Sequence, residues 1–210
     1  MVNGAREAIA RVDLAAHAGV HPRVGAIDVA PIVYLDDAQR GAANAEALIL
    51  ADRLASELGL PVYLYGALAG GRTRAELRRG GPGELIERTV PDAGPPALHP
   101  TAGATLVTAR PPLAAFNVEI DAPPETAREI AALIRELLDV RALGLHLQEQ
   151  GIVQVSTNIE HLDRVTPAEV VAAIARHARV TGAELVAPAP RSAFESFPPE
   201  IPLRGAPLLG

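Results

Sequence analysis

Two imidazoles and a guanidinium stand close together in the sequence, at His17, His21 and Arg23. A neutral imidazole accepts or returns a proton near pH 7, and an Arg fork grips carboxylates through paired donors. Gly19 and Pro22 bend the backbone here, so the three groups belong to a connection and not to one helical face. An apolar, strand-like run follows at once, and a loop feeding a buried strand is where folds commonly hold working groups. The four-residue spacing of His17 and His21 would suit a metal pair on a helix. The bend removes that helix and no third ligand stands nearby, so no metal is expected. On its residue type alone His21 is either an acid/base group or a loop histidine satisfied by backbone. Arg23 is either an anion binder or half of an ion pair, for instance with Asp28. His99 is either a ligand contact or a turn residue, His146 lies on a strand at the surface or in a groove, and His161 and His177 read as solvated.

Composition narrows the chemistry further. The 210 residues include no Cys and no Lys, so all nineteen basic residues are Arg. This excludes thiolate nucleophiles, disulfides, Cys-based metal sites, Schiff-base chemistry and a phosphate-loop lysine. Neither a Gly-x-Ser-x-Gly elbow nor a helix-opening G-x-G-x-x-G fingerprint occurs. A net charge of −6 and an aromatic share of 3% argue against a nucleic-acid partner, which needs basic surface and stacking platforms. No apolar run approaches the roughly 20 residues of a membrane span, and charges interrupt the N-terminal stretch, unlike a secretory signal. The expectation is a soluble, cytoplasmic protein without a membrane partner.

The elements that must position these groups are legible by periodicity. A helix is expected over 4–16, a buried strand over 26–35, and a helix capped by Asp36 and Asp37 and stopped by Gly59, with Leu48, Ala51, Ala55 and Leu58 along its buried face. A strand over 60–65 follows. Residues 66–103 are rich in Gly and Pro and read as a functional loop or a linker around at most one short helix near Arg74 to Arg79. Beyond Arg110 the alternation of Ala114, Phe116, Val118 and Ile120 predicts a strand, and Ala127, Ile130, Ile134 and Leu137 align on a helix. A hairpin over 141–159, a helix opened by Thr166-Pro167-Ala168-Glu169 and ending near Gly182, and a strand over 184–187 complete a βαββαβ order.

Separated segments resemble the formiminotransferase domain family, the glutamate formimidoyltransferases. His21-Pro22-Arg23-Val24-Gly25-Ala26-Ile27-Asp28-Val29 is similar to its HPR-hydrophobic-GA-x-DV signature, and Leu58 to Gly66 to its ELG-VPVYLYG strand. Pro91-Asp92-Ala93-Gly94-Pro95, His99-Pro100-Thr101-Ala102-Gly103-Ala104-Thr105 and Ala115-Phe116-Asn117 resemble its PD-x-GP, P-x-x-GAT and AFN signatures. Gln154-Val155-Ser156-Thr157-Asn158 resembles its QVSTN strand. Together the segments run in family order from about residue 10 to residue 190.

The resemblance implies an α+β fold of two ferredoxin-like (βαββαβ) subdomains, with antiparallel sheets and helices on one face, divided at 1–109 and 110–210. The first is expected to be incomplete, because the family's initial strands and helix have no counterpart ahead of residue 1. The family also usually has a basic residue where Ala18 stands and often an acidic one at Val20. The implied activity is transfer of a formimino group from N-formimino-L-glutamate to N5 of tetrahydrofolate, a step of histidine breakdown. His21 corresponds to the catalytic histidine, and Arg23 is a candidate for substrate carboxylates. The folate-contacting loop corresponds to Gly94, Pro95, Pro96, Ala97, Leu98, His99, Pro100, Thr101, Ala102 and Gly103. Tetrahydrofolate is thus the expected co-substrate, the partners are small molecules, and a homodimer is left open. The alternative is a non-catalytic folate-binding or interaction protein of the same fold, inactive for want of the front of the first subdomain.

Overall fold

The computed structural model describes every residue except Ala18 and Val20, so the two family departures at those positions lie outside the described residues. The chain forms two compact units, Met1–Pro111 and Pro112–Gly210.

The first unit contains α1 (Val2–Arg11), β1 (Val29–Val33), α2 (Arg40–Leu58), β2 (Val62–Leu64), α3 (Arg74–Arg78), α4 (Gly81–Arg88) and β3 (Thr105–Arg110). Its sheet runs β1-β3-β2 with both pairings parallel. The antiparallel sheet expected for this unit is therefore corrected. The reason is the connection: a helical crossover from β1 through α2 to β2 returns the chain in the same direction and leaves one strand position open between them. Thr105–Arg110 fills that position. Helices on one face are also corrected here, because the two faces of the sheet feed separate cores. Ala30, Val62, Val107 and Ala109 join the buried residues of α1 and α2. Tyr63 and Leu106 join Leu77 of α3 and Leu85 of α4.

Local chemistry sets the element ends. The Asp36 carboxylate accepts from the Ala38 N–H at 2.9 Å, opening a 3-10 turn that leads into α2, and Gly59 stops that helix with φ 65°. The buried face of α2 is Ala43, Ala47, Leu50, Ala51 and Leu54; of the expected stripe Ala51 is buried, Ala55 and Leu58 pack partly buried against the same core, and Leu48 is exposed. Expectation also missed α4: Gly80, with φ 72°, and Pro82 open a helix where the Gly/Pro run read as loop.

The second unit carries β4 (Ala114–Asp121), α5 (Pro124–Leu137), β5 (Arg141–Leu147), β6 (Ile152–Ile159), α6 (Pro167–Ala175) and β7 (Arg179–Leu185). Short strands β8 (Ala189–Pro190), β9 (Leu203–Gly205) and β10 (Leu208–Leu209) follow. The main sheet runs β5-β6-β4-β7-β9, antiparallel except for the β7–β9 pair. Ala114, Phe116, Val118 and Ile120 are buried as the alternation predicts, against Ile130 and Ile134 of α5 and Val170 and Ile174 of α6. Thr166 and Glu169 form the expected capping box. The helix stops at Ala175, seven residues before Gly182, and β-branched Val180 and Thr181 already belong to β7. Among the described residues no helix is long and apolar enough to cross a membrane.

Candidate active site in the first unit

The segment from Val24 to Ala26 and the segment from Ala102 to Ala104 run antiparallel and are joined backbone to backbone. Ala26 donates its N–H to the Ala102 carbonyl at 2.9 Å, and Ala104 donates to the Val24 carbonyl at 3.0 Å. Gly25 and Gly103 sit opposite each other in this bridge. A Cβ on Gly25 would run into the carbonyl oxygens of Ala104 and Ala102, and one on Gly103 would meet the Val24 carbonyl. Only hydrogen at both positions lets the two backbones approach this closely. The bridge brings the His21 loop against the 94–103 loop, although some eighty residues separate them in sequence.

Further bonds hold each loop. Asp28 accepts the Val24 N–H at 2.7 Å through Oδ1 and pairs with Arg78 of α3 through Oδ2. Arg88 fixes α3 by donating to the carbonyls of Glu76 at 2.6 Å, Leu77 at 2.8 Å and Arg79 at 2.6 Å. At the start of the second loop, Asp92 accepts the Leu64 N–H at 2.8 Å and pairs with Arg72, tying the loop to β2. At its far end His99 and Gly103 exchange backbone hydrogen bonds of 2.9 and 3.0 Å. The His99 Nδ1 accepts from the Ala102 N–H at 3.1 Å. An accepting Nδ1 places the proton of a neutral ring on Nε2.

Between these loops and the α3–α4 corner lies a cavity of about 510 Å³. That volume suits a small molecule. His21, Arg23, Arg78 and His99 supply its polar wall, and Leu14, Pro22, Pro82 and Leu98 are among its apolar neighbours. His21 is an exposed residue at the cavity wall, yet the protein around its imidazole displaces enough water to push it below its ordinary pKa of 6.5, with the Arg78 charge as the second cause. It is therefore largely neutral at pH 7 and able to accept a proton.

Of the ten loop residues expected at a folate site, Leu98, His99, Pro100 and Gly103 line this cavity. Gly94, Pro95, Pro96, Ala97, Thr101 and Ala102 do not line it: Gly94 lies close to the Leu60 carbonyl, and the Thr101 carbonyl accepts the Leu14 N–H at 2.7 Å. Arg23 lines the cavity too, but its Nη1 donates to the Gly19 carbonyl at 2.7 Å and its Nη2 to the His17 carbonyl at 2.6 Å. The ion pair suggested between Arg23 and Asp28 is corrected: Asp28 takes Arg78 instead. Sequence reading missed Arg78. Nothing local distinguishes it from Arg74 and Arg79 on the same short segment, and its partner lies fifty residues away. Among the described residues no three His, Cys, Asp or Glu side chains converge on a metal-sized site.

Residues 1–110, which include every group lining the cavity, match the formiminotransferase domain, N-terminal subdomain. The chain belongs to the formiminotransferase domain family. A glutamate formimidoyltransferase of Streptococcus pyogenes serotype M1 is 34% identical over 201 residues, covering 87% of this chain and 67% of that protein. The formimidoyltransferase-cyclodeaminase of Gallus gallus is 35% identical over 216 residues, covering 92% of this chain and 40% of that protein. The Sus scrofa protein of the same name is 38% identical over 176 residues, 75% of this chain and 32% of that protein. The chain thus spans about a third to two fifths of the length of these two cyclodeaminase relatives.

Proposed function

We propose that the chain transfers a formimino group from N-formimino-L-glutamate to N5 of tetrahydrofolate, with His21 as general acid/base and tetrahydrofolate as the second substrate. The observation that carries this reading is His21 at the wall of the cavity facing the Leu98–Gly103 segment, all inside the region matched by the family. In the reaction the N5 lone pair forms a bond to the amidine carbon, and the bond from that carbon to the glutamate nitrogen breaks. N5 loses one proton and the departing glutamate nitrogen gains one. A single neutral imidazole serves both ends, a contribution of about 10² to 10⁴-fold. Holding both substrates together lowers the barrier further by removing the entropic cost of their encounter.

The Gly94–Gly103 loop is the proposed folate contact, since Gly and Pro backbone approaches a flat pterin without bulky side chains in the way. Arg23 holds the His21 loop through its carbonyl contacts and adds positive potential for anionic substrates. The second unit, with its βαββαβ order and antiparallel central strands, is read as ferredoxin-like and as the C-terminal formiminotransferase subdomain. His21→Ala, assayed with N-formimino-L-glutamate and tetrahydrofolate, is expected to lose about 10² to 10⁴-fold in turnover. Undiminished turnover refutes the role of His21. Tetrahydrofolate binding by the parent chain without any turnover refutes the transferase reading and leaves the non-catalytic folate-binding alternative.

A further inference from the structure

Both anchoring charges of the proposed donor are carboxylates, yet the wall around His21 is mostly apolar. A carboxylate entering such a wall gives up water and needs strong donors in exchange. Two guanidinium groups line the cavity. That of Arg23 is already committed to the backbone carbonyls of His17, Gly19 and His21 through both terminal nitrogens. Arg78 differs. Its Nη2 meets Asp28, while its Nε is buried without a hydrogen-bond partner among the described residues. The Arg78 side chain keeps 23% of its surface exposed and lines the cavity, so its guanidinium charge is within reach of an incoming carboxylate.

We propose that Arg78, held in place by Asp28, is the anion-binding residue of the His21 cavity and seats a carboxylate of the amino-acid donor. The proposal rests on the transfer reading above and adds the residue that recognises the donor's acid group. Asp28 fixes the guanidinium from behind: one oxygen holds Arg78 and the other holds the Val24 N–H, so the fork is tied to the same backbone that carries His21. Arg88, clamped on the last carbonyls of α3, fixes the helix from the other side. The charge balance is also suitable. Arg23 and Arg78 line the cavity and Asp28 offsets one of them, leaving a net single positive charge for an incoming carboxylate. His99 lines the same wall with its proton on Nε2, a neutral donor for the second carboxylate oxygen. A glutamate tail on folate is an acid of the same kind, so the test must separate donor from acceptor.

Glutarate, a dicarboxylate with no formimino group, is the binding probe, and glutaramide of the same length is its neutral control. The full chain is titrated while the His21 imidazole proton resonance is followed by NMR. The parent is expected to respond to glutarate and not to glutaramide. Arg78→Met is expected to weaken glutarate binding about 10- to 100-fold, and Arg78→Lys to recover part of it by keeping charge without the fork. Circular dichroism establishes that each variant is folded, and if Arg78→Met is not, the comparison rests on Arg78→Lys and Asp28→Asn. In turnover, Arg78→Met is expected to raise KM for the donor and leave KM for tetrahydrofolate unchanged. A parent indifferent to glutarate, a folded Arg78→Met with parental affinity, or an effect confined to the tetrahydrofolate KM each overturns the proposal. Glutarate bound through Arg78 in a chain that transfers nothing removes the transfer reading alone. Transfer with an unaltered donor KM in Arg78→Met removes the carboxylate seat alone.

Discussion

Replacing Gly25 with Ala tests the claim that backbone proximity assembles the cavity. The added Cβ is opposed by the carbonyl oxygens of Ala104 and Ala102, which are main-chain atoms and cannot rotate aside. The two segments must separate, and separation lengthens the Ala26 N–H to Ala102 carbonyl bond of 2.9 Å and the Ala104 N–H to Val24 carbonyl bond of 3.0 Å. Val24, Ala102 and Ala104 are fully buried, so the broken groups gain no water. Overpacking costs about 1 to 3 kcal/mol, and disturbed buried backbone bonds add about 1 to 2 kcal/mol. The expected loss is about 2 to 5 kcal/mol. In a unit of this size that lowers the melting temperature by about 8 to 20 °C. Thermal unfolding by circular dichroism measures it, and glutarate titration reads the cavity at a temperature where the variant remains folded. Gly41→Ala is the control: Gly41 lies in α2, a Cβ there meets nothing within 4 Å, and a helix gains about 0.5 to 1 kcal/mol from the exchange. A Gly25→Ala chain that melts with the parent and binds glutarate equally well refutes the reasoning.

Two further predictions follow from burial and charge. Because partial desolvation first and Arg78 second hold the His21 pKa below 6.5, the acid limb of turnover is expected below pH 6.5. Arg78→Met moves that limb upward by only part of the displacement, since the larger cause remains. For stability, a folded pKa below the unfolded one means the His21 contribution is complete above pH 6.5 and is lost as pH falls from there through the folded value. An acid limb above pH 6.5 in the parent contradicts the assignment of that limb to His21. In the second unit Ile134 is fully buried on α5 within the hydrophobic core, so Ile134→Ala is expected to cost about 2 to 5 kcal/mol in urea unfolding. A cost under 1 kcal/mol would show that this core is looser than its burial indicates.

What the sequence made legible depended on whether the signal was local. Ala114, Phe116, Val118 and Ile120 alternate because one face of β4 meets the helical core, and Thr166 and Glu169 mark a cap three residues apart. His21 and Arg23 are neighbours in sequence, so their shared loop was readable too. By contrast, β3 escaped notice: Thr105 to Ala109 are buried without interruption, as in a strand covered on both faces, and two of the five are Thr. The buried Thr108 hydroxyl is satisfied by donating to the Tyr65 carbonyl at 2.6 Å, a partner that only the fold supplies.

The missing strand also explains the missing arginine. With β3 unrecognised, nothing in the chain's own periodicity stood against the antiparallel sheet and single helical face that the family resemblance implies. Once Thr105–Arg110 lies between β1 and β2, its register with β1 sets Val29 beside Leu106 and draws Val24 to Ala26 alongside Ala102 to Ala104. The second face of the sheet must then be covered, and Leu77 and Leu85 cover it. Arg78 follows Leu77 directly, so the packing that buries one residue delivers the next to Asp28 and to the His21 cavity. The position of the anion-binding candidate is a consequence of where β3 lies, which is why no motif around Arg78 could have announced it.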